Sequence, residues 1–283
     1  MNKYALFTGC TARTTAPELL KSTMAVADAL GIELVLLNEA SCCGATHLQD
    51  YNEFMALVIN ARNIVYAEKL GVDMLTICNT CQLVLSQVNE KLKKDEVLKA
   101  KVNAKLAEVG LEFKGTINVR HFLNVLIEDY GVENLSSKVT KSFTGFNIAP
   151  FYGCHNIGQN GVQDNLKQES LELIIEAIGA NSVDYVGKNR CCGFHADLQA
   201  PKTAYALTGN ILADAVDQNA DIVVTPCPLC HYNMDALQKN AAKAVGREFS
   251  IPTLHLPQMI GLALGLEPAL LGFNHNITPV KFL

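Results

Sequence analysis

The chain has 283 residues, 49% of them hydrophobic and 18% charged, and carries a net charge of -5 at pH 7. That length holds one large domain or two ordinary ones, with a core that needs no covalent staples. The charge balance excludes a polyanion-binding surface, so nucleic acid is not an expected partner, and the longest apolar stretch, Leu256 to Phe273, is too broken by Gln258, Glu267 and Pro268 to read as a membrane span.

The first element is a short apolar strand, Tyr4 to Thr8, which runs straight into Gly9-Cys10. No basic n-region, apolar h-region or cleavage site precedes it, so export is not signalled; a cytoplasmic place, or a peripheral one on the inner membrane within a complex, is expected. Pro17 opens a helix with Leu20, Met24 and Ala27 on one face and Gly31 as its cap. A strand from Ile32 to Leu37 leads to Cys42-Cys43-Gly44. A long helix, capped by Asp50 and closed by Gly71, then places Phe54, Leu57, Val58, Ala61 and Val65 along one side. Met74 to Ile77 forms the third strand and ends at Cys78-Asn79-Thr80-Cys81, with a helix starting at about Gln82. Asp95 to Val109 reads as a solvated helix. It is followed by a strand from Ile117 to Val119, His121, a helix from Phe122 to Tyr130, and a polar boundary from Glu133 to Thr144.

The second half repeats this order. Phe146 to Tyr152 ends at Gly153-Cys154, and a helix from Asp164 to Ile178 places Leu166, Leu173, Ile174, Ala177 and Ile178 on a core face before Gly179. A strand from Val183 to Val186 leads to Cys191-Cys192-Gly193 and a helix to about Asn219. Ile222 to Thr225 then enters Cys227-Pro228-Leu229-Cys230. Ile251 to Leu254, His255 and a helix from Leu256 to Leu266 mirror the end of the first half, the helix far more apolar than its counterpart and therefore read as buried core or an interface, with monotopic membrane contact as the alternative. The expected fold is α/β: two pseudo-repeated Rossmann-like lobes with parallel sheets, residues 1–144 and 145–283, and metal sites at the carboxyl ends of the strands.

All ten cysteines fall in two frames. Cys10, Cys42, Cys43, Cys78 and Cys81 have gaps of 31, 34 and 2 residues; Cys154, Cys191, Cys192, Cys227 and Cys230 have gaps of 36, 34 and 2. In a reducing compartment such cysteines are metal ligands or redox centres ahead of disulfides. Four thiolates complete a cubane cluster or a tetrahedral zinc, so five per frame leave either a free thiol or a cofactor with more ligand sites. Spacing alone leaves open two structural zincs, or a cluster in one lobe with zinc in the other. Four histidines lie beside the motifs, His47, His155, His195 and His231, and are candidate proton donors or partners of sulfur. His121 and His255 recur at one place in the repeat and read as structural.

Two copies of Cys, Cys-Cys-Gly and Cys-x-x-Cys at these gaps resemble the cysteine-rich CCG domain family over nearly the whole chain. By motif the chain is similar to the B-type subunit of heterodisulfide reductase and to the E-type subunit of class E succinate:quinone oxidoreductases, including methylmenaquinol:fumarate reductase. The resemblance implies that each five-cysteine frame holds a noncubane 4Fe-4S cluster. Gly44-Ala45-Thr46-His47 lacks the proline that follows Cys-Cys in the heterodisulfide enzymes, and Gly193-Phe194-His195-Ala196 lacks their glycine-rich continuation. Those departures favour the E-type subunit, which implies electron transfer between quinol and flavoprotein and iron-sulfur partner subunits. Disulfide reduction at the clusters and a zinc-stabilised structural subunit are the alternatives. No flavin or nicotinamide fingerprint is present, so hydride chemistry falls to a partner.

Overall fold

Tyr4 and Leu6 pack into one hydrophobic cluster and Ala5 and Phe7 into another, on opposite faces of one strand. A strand buried on both faces belongs to a parallel sheet covered by helices. The computed structural model, which describes residues 2–45, 47–155 and 169–281, has two such sheets. The first half contains β1 (Lys3–Phe7), α1 (Thr11–Thr14), α2 (Pro17–Leu30), β2 (Glu33–Leu36), α3 (His47–Tyr51), α4 (Glu53–Leu70), β3 (Met74–Thr76), α5 (Asn79–Lys94), α6 (Glu96–Leu106) and β4 (Val119–His121). Next come α7 (Phe122–Asn124), a π-helical stretch (Val125–Gly131) and α8 (Val132–Ser137). The second half contains β5 (Asn147–Pro150), α9 (Ser170–Ala177), β6 (Asn181–Ser182), α10 (Pro201–Asp217), β7 (Ile222–Thr225), α11 (Pro228–Asp235), α12 (Gln238–Ala244), β8 (Thr253–His255), α13 (Leu256–Ala263) and α14 (Pro268–Leu271).

All strand pairs are parallel, in the orders β2-β1-β3-β4 and β6-β5-β7-β8. The chain leaves β1 toward β2 and returns on the other side at β3, a reversal that opens a crevice beyond the carboxyl ends of β1 and β3. The same reversal occurs between β5 and β7. Cys10 and Cys78 lie at the first crevice, Cys154 and Cys227 at the second. Both apolar clusters run through both lobes: Phe7 and Met74 share one with Phe151 and Val223, and Leu6 and Leu75 share the other with Ile148 and Val224.

Several boundaries differ from the sequence expectation. Asn52, not Asp50, caps the long helix, because its extended backbone lets Oδ1 accept from the N–H of Met55, while Asp50 lies inside α3. Phe54 stays 38% exposed, off the buried face formed by Leu57, Ala61 and Val65. α5 begins at Asn79 rather than near Gln82. β4 and β8 begin two residues later than expected and end on the two histidines, and the helix after β4 passes into π turns at Val125. β6 pairs only at Asn181 and Ser182, after which the N–H of Gly187 is drawn to Asp214 Oδ2 and Val186–Asn189 closes into a 3-10 turn. The helix of the second lobe is described from Ser170, and Asp164 and Leu166 lie outside the described residues.

α13 settles its own ambiguity. Every residue from Leu256 to Ala263 is buried, and the helix packs against α2, so its apolar sequence answers to the protein core and not to a bilayer. It stops at Ala263 rather than Leu266, where Gly265 turns to φ +79°. The polar stretch after Tyr130 is tied to it: Leu135 is buried, and the N–H groups of Thr140 and Lys141 donate to the Ala263 carbonyl. Among the described residues no helix is long and apolar enough to cross a membrane.

Candidate metal centre

Each Cys-x-x-Cys is the start of a helix. Cys78 and Cys227 occupy the N-cap positions of α5 and α11 in extended conformation, and Cys81 and Cys230 follow in the first turns. Backbone N–H groups of the first turns therefore donate toward Cys78 and Cys227 and work in favour of their thiolate forms. The two N-caps meet: the thiols of Cys78 and Cys227 interact across the lobes. Asn79 Nδ2 donates to the Tyr152 carbonyl at 2.6 Å and holds that junction.

Each Cys-Cys-Gly loop turns so that each of its two sulfurs meets a different cysteine of the frame. Cys42 Sγ lies 3.5 Å from Cys10 Sγ at the surface, while Cys43 Sγ lies 3.5 Å from Cys81 Sγ in the interior. Gly44 at φ +81° and Gly193 at φ +84° permit the turn, and their N–H groups donate back to Cys42 and Cys191, each at 3.4 Å. In the second lobe Cys154 pairs with Cys191 and Cys192 with Cys230. The ten side chains are all free thiols.

The glycine before each single cysteine has a separate task. A Cβ added at Gly9 would lie 3.1 Å from Cys81 Sγ, and one at Gly153 would lie 2.9 Å from Cys230 Sγ, so the backbone passes directly over the inner sulfur. Gly153→Ala is expected to lower stability in chemical denaturation by about 2 kcal/mol or more, from the left-handed backbone and the displaced sulfur together. Gly31→Ala, with the same φ of +71° and nothing within 4 Å, isolates the backbone share of about 1 kcal/mol. Equal losses in the two variants would mean that the sulfur contact contributes nothing.

The thiols cannot all ionise together. Hydrogen bonds from Cys42 and then Cys81 pull the Cys43 thiol down to about 4, while Cys81 is pushed up by its bonds to Cys43 and Cys78. The bond with Cys154 lowers Cys191 to about 6, and bonds with Cys230 and Cys78 drive Cys227 well down; Cys154 and Cys230 rise in exchange. One thiolate is thus solvated by the protons of its neighbours. A cationic metal core that replaced those protons would let every sulfur bind as thiolate, so the donor set fits a thiolate-ligated metal centre in each lobe.

Three of the four candidate histidines converge at the mouth of the cleft between the lobes. His195 Nδ1 is 3.3 Å from His47 Nε2, the His155 and His195 rings are 5.2 Å apart, and Thr80 Oγ1 fixes His155 Nδ1 at 2.8 Å. Burial lowers His155; burial and then the charges of His155 and His47 lower His195. The fourth, His231, is elsewhere. It is buried against Thr253 and stacked on His255, and its pKa falls to about 3 through burial and then His255. His121 and His255 are buried at the ends of β4 and β8, as expected of structural residues.

The profile of the family described as CCG, cysteine-rich domain, matches residues 4–86 and 148–235 and so contains both cysteine frames. The chain belongs to the CCG family. This CCG protein is 38% identical over 278 residues to the 8-methylmenaquinol:fumarate reductase membrane anchor subunit of Wolinella succinogenes, a match that covers 97% of this chain and 96% of that one. It is 35% identical over 292 residues to the B-type subunit of the ferredoxin:CoB-CoM heterodisulfide reductase of Methanosarcina mazei, covering 100% and 96%. The solved structure of a hypothetical protein from Helicobacter pylori superposes with a TM-score of 0.83 at 20% identity over all of this chain and 53% of that one, which shows the shared fold.

The CCG loops also depend on residues that the cysteine spacing does not reveal. Asn60 Nδ2 donates to the Cys43 carbonyl at 2.9 Å; in the second lobe Thr208 Oγ1 and Asn233 Nδ2 donate to the Cys192 carbonyl at 2.7 and 3.0 Å. These buried donors hold the one carbonyl that the turn strips of a ladder partner. A polar residue on the buried face of α4, α10 or α11 is their only signal in the sequence.

Proposed function

We propose that this CCG protein is an iron-sulfur electron-transfer subunit of a quinol:fumarate reductase type complex, with one noncubane 4Fe-4S cluster on Cys10, Cys42, Cys43, Cys78 and Cys81 and a second on Cys154, Cys191, Cys192, Cys227 and Cys230. The observation that carries this reading is the continuity of sulfur within each lobe, joined between lobes by the contact of Cys78 with Cys227. Four thiolates suffice for a cubane cluster or for zinc; the Cys-Cys pair adds a fifth donor that an extended core requires. The clusters, when bound, supply one-electron carriers. The polypeptide sets them side by side, keeps the inner sulfurs dry, and brings His47, His155 and His195 to the cleft where a two-electron acceptor takes up protons. Flavoprotein and iron-sulfur subunits are the proposed partners, and membrane association, where it occurs, comes through the complex. The identity with a subunit named for methylmenaquinol and fumarate supports the quinol side.

The test is an anaerobic preparation of the complex with iron, sulfide and zinc analysis, followed by oxidation of the reduced protein with each substrate class. Reoxidation by a menaquinone analogue and none by a thiol heterodisulfide is expected. The opposite pattern overturns the quinone reading in favour of disulfide cleavage, which the likeness to the Methanosarcina protein supports. Zinc bound to sulfur in place of iron in either lobe overturns the two-cluster assignment.

A further inference from the structure

One buried carboxylate has no cation beside it. Glu18, in the first turn of α2, is 3% exposed, and its Oε1 lies 3.2 Å from Nε2 of the fully buried His255. Its Oε2 is shielded from solvent without a hydrogen-bond partner. His231 stacks on His255 with ring centroids 3.6 Å apart, and one donor atom from each of Glu18, His231 and His255 lies within 4.8 Å of the other two. His231 follows Cys230 in the chain but turns away from the sulfurs. Its Nε2 lies 3.0 Å from the Thr253 carbonyl, which can only accept, so Nε2 carries the proton and Nδ1 the lone pair.

A buried carboxyl oxygen left without a partner is a standing cost that a bound cation would remove. Burial keeps His255 neutral, down to about 3, so no imidazolium offsets it. Two imidazoles and a carboxyl group are, however, the donor set of a His2Glu zinc site. The backbone closes the place from the other side: a Cβ added at Gly272 would lie 2.8 Å from Glu18 Cβ.

We infer that Glu18, His231 and His255 bind one zinc ion between the lobes, apart from the ten cysteines. The ion neutralises Glu18, takes up its unpartnered oxygen, and ties α2 of the first lobe to α11 and β8 of the second. Binding opens the stack of the two rings, because imidazole lone pairs must converge on a shared ion rather than run parallel. The role is structural: the ion fixes the helix that carries Cys227 and Cys230 from behind.

The test uses the full chain, purified anaerobically with its iron complement, dialysed against zinc and then washed free of loose metal. Zinc analysis and zinc-edge X-ray absorption are expected to give about one zinc per chain with nitrogen and oxygen neighbours at about 2.0–2.1 Å. Glu18→Gln keeps the side-chain volume and is expected to lower retained zinc by about tenfold or more with iron unchanged. His255→Asn is the second variant, and the wild-type spectrum decides if neither variant folds. No retained zinc at full iron, a sulfur shell at about 2.3 Å, or unchanged zinc in folded Glu18→Gln protein each overturns the site.

Discussion

Serine at position 43 is expected to remove the proposed cluster of the first lobe and leave that of the second in place. Cys43 is 3% exposed, its sulfur lies 3.5 Å from Cys81, and its carbonyl is pinned by Asn60, so the residue at this position cannot swing away or be replaced by solvent. A serine hydroxyl is a hard donor that stays protonated at neutral pH where a thiol here ionises at about 4, and it makes a poor ligand for iron. Iron per chain should fall to about half in Cys43→Ser, and equally in Cys192→Ser, since the frames repeat one ligand arrangement. The double variant should hold almost none. The apolar clusters run through both lobes, so the single variants should still fold. Full iron in a folded single variant would mean that four cysteines suffice and that the doublet is not what selects the cofactor.

The cysteine frames and the parallel sheets were both legible because each leaves a local mark. A short continuous apolar run, buried on both faces, gives a strand of a parallel sheet, and a cysteine just after a strand gives a site at the carboxyl edge. Long-range partners leave no such mark. Nothing near Leu256 says that α13 packs on α2, more than 200 positions away, so its apolar sequence was compatible with core and membrane alike. Asn60, Thr208 and Asn233 are single polar residues on helices, and their use appears only once the Cys-Cys turn presents a carbonyl to them. The histidines show the limit most directly. Four of them sit beside cysteine motifs, yet one step along α11 turns the side chain by about 100°, which carries His231 away from the sulfurs toward β8. His47 and His195 follow their glycines on irregular or short helical segments, and their meeting at 3.3 Å depends on how the lobes pack.

That meeting makes the second large effect. On the proposed function, His155→Gln is expected to slow quinone reduction by about 10²-fold or more, with electron transfer into the proposed clusters unchanged, because loss of a positioned proton donor typically costs that much. The pH dependence carries the sign. Burial lowers both His155 and His195, so at pH 7 both are largely neutral, and the protonated donor form accumulates only as pH falls below the ordinary histidine value of about 6.5. Proton-limited turnover should therefore rise on acidification, with a midpoint below about 6.5. Part of the depression of His195 comes from the charge of His47, 3.3 Å away, and His47→Gln removes it. The midpoint should then move to higher pH, while His275→Gln, on the exposed turn Phe273–His275, leaves it where it was. A midpoint that stays fixed in His47→Gln would separate the histidine cluster from proton delivery and return it to the role of a polar seam between the lobes.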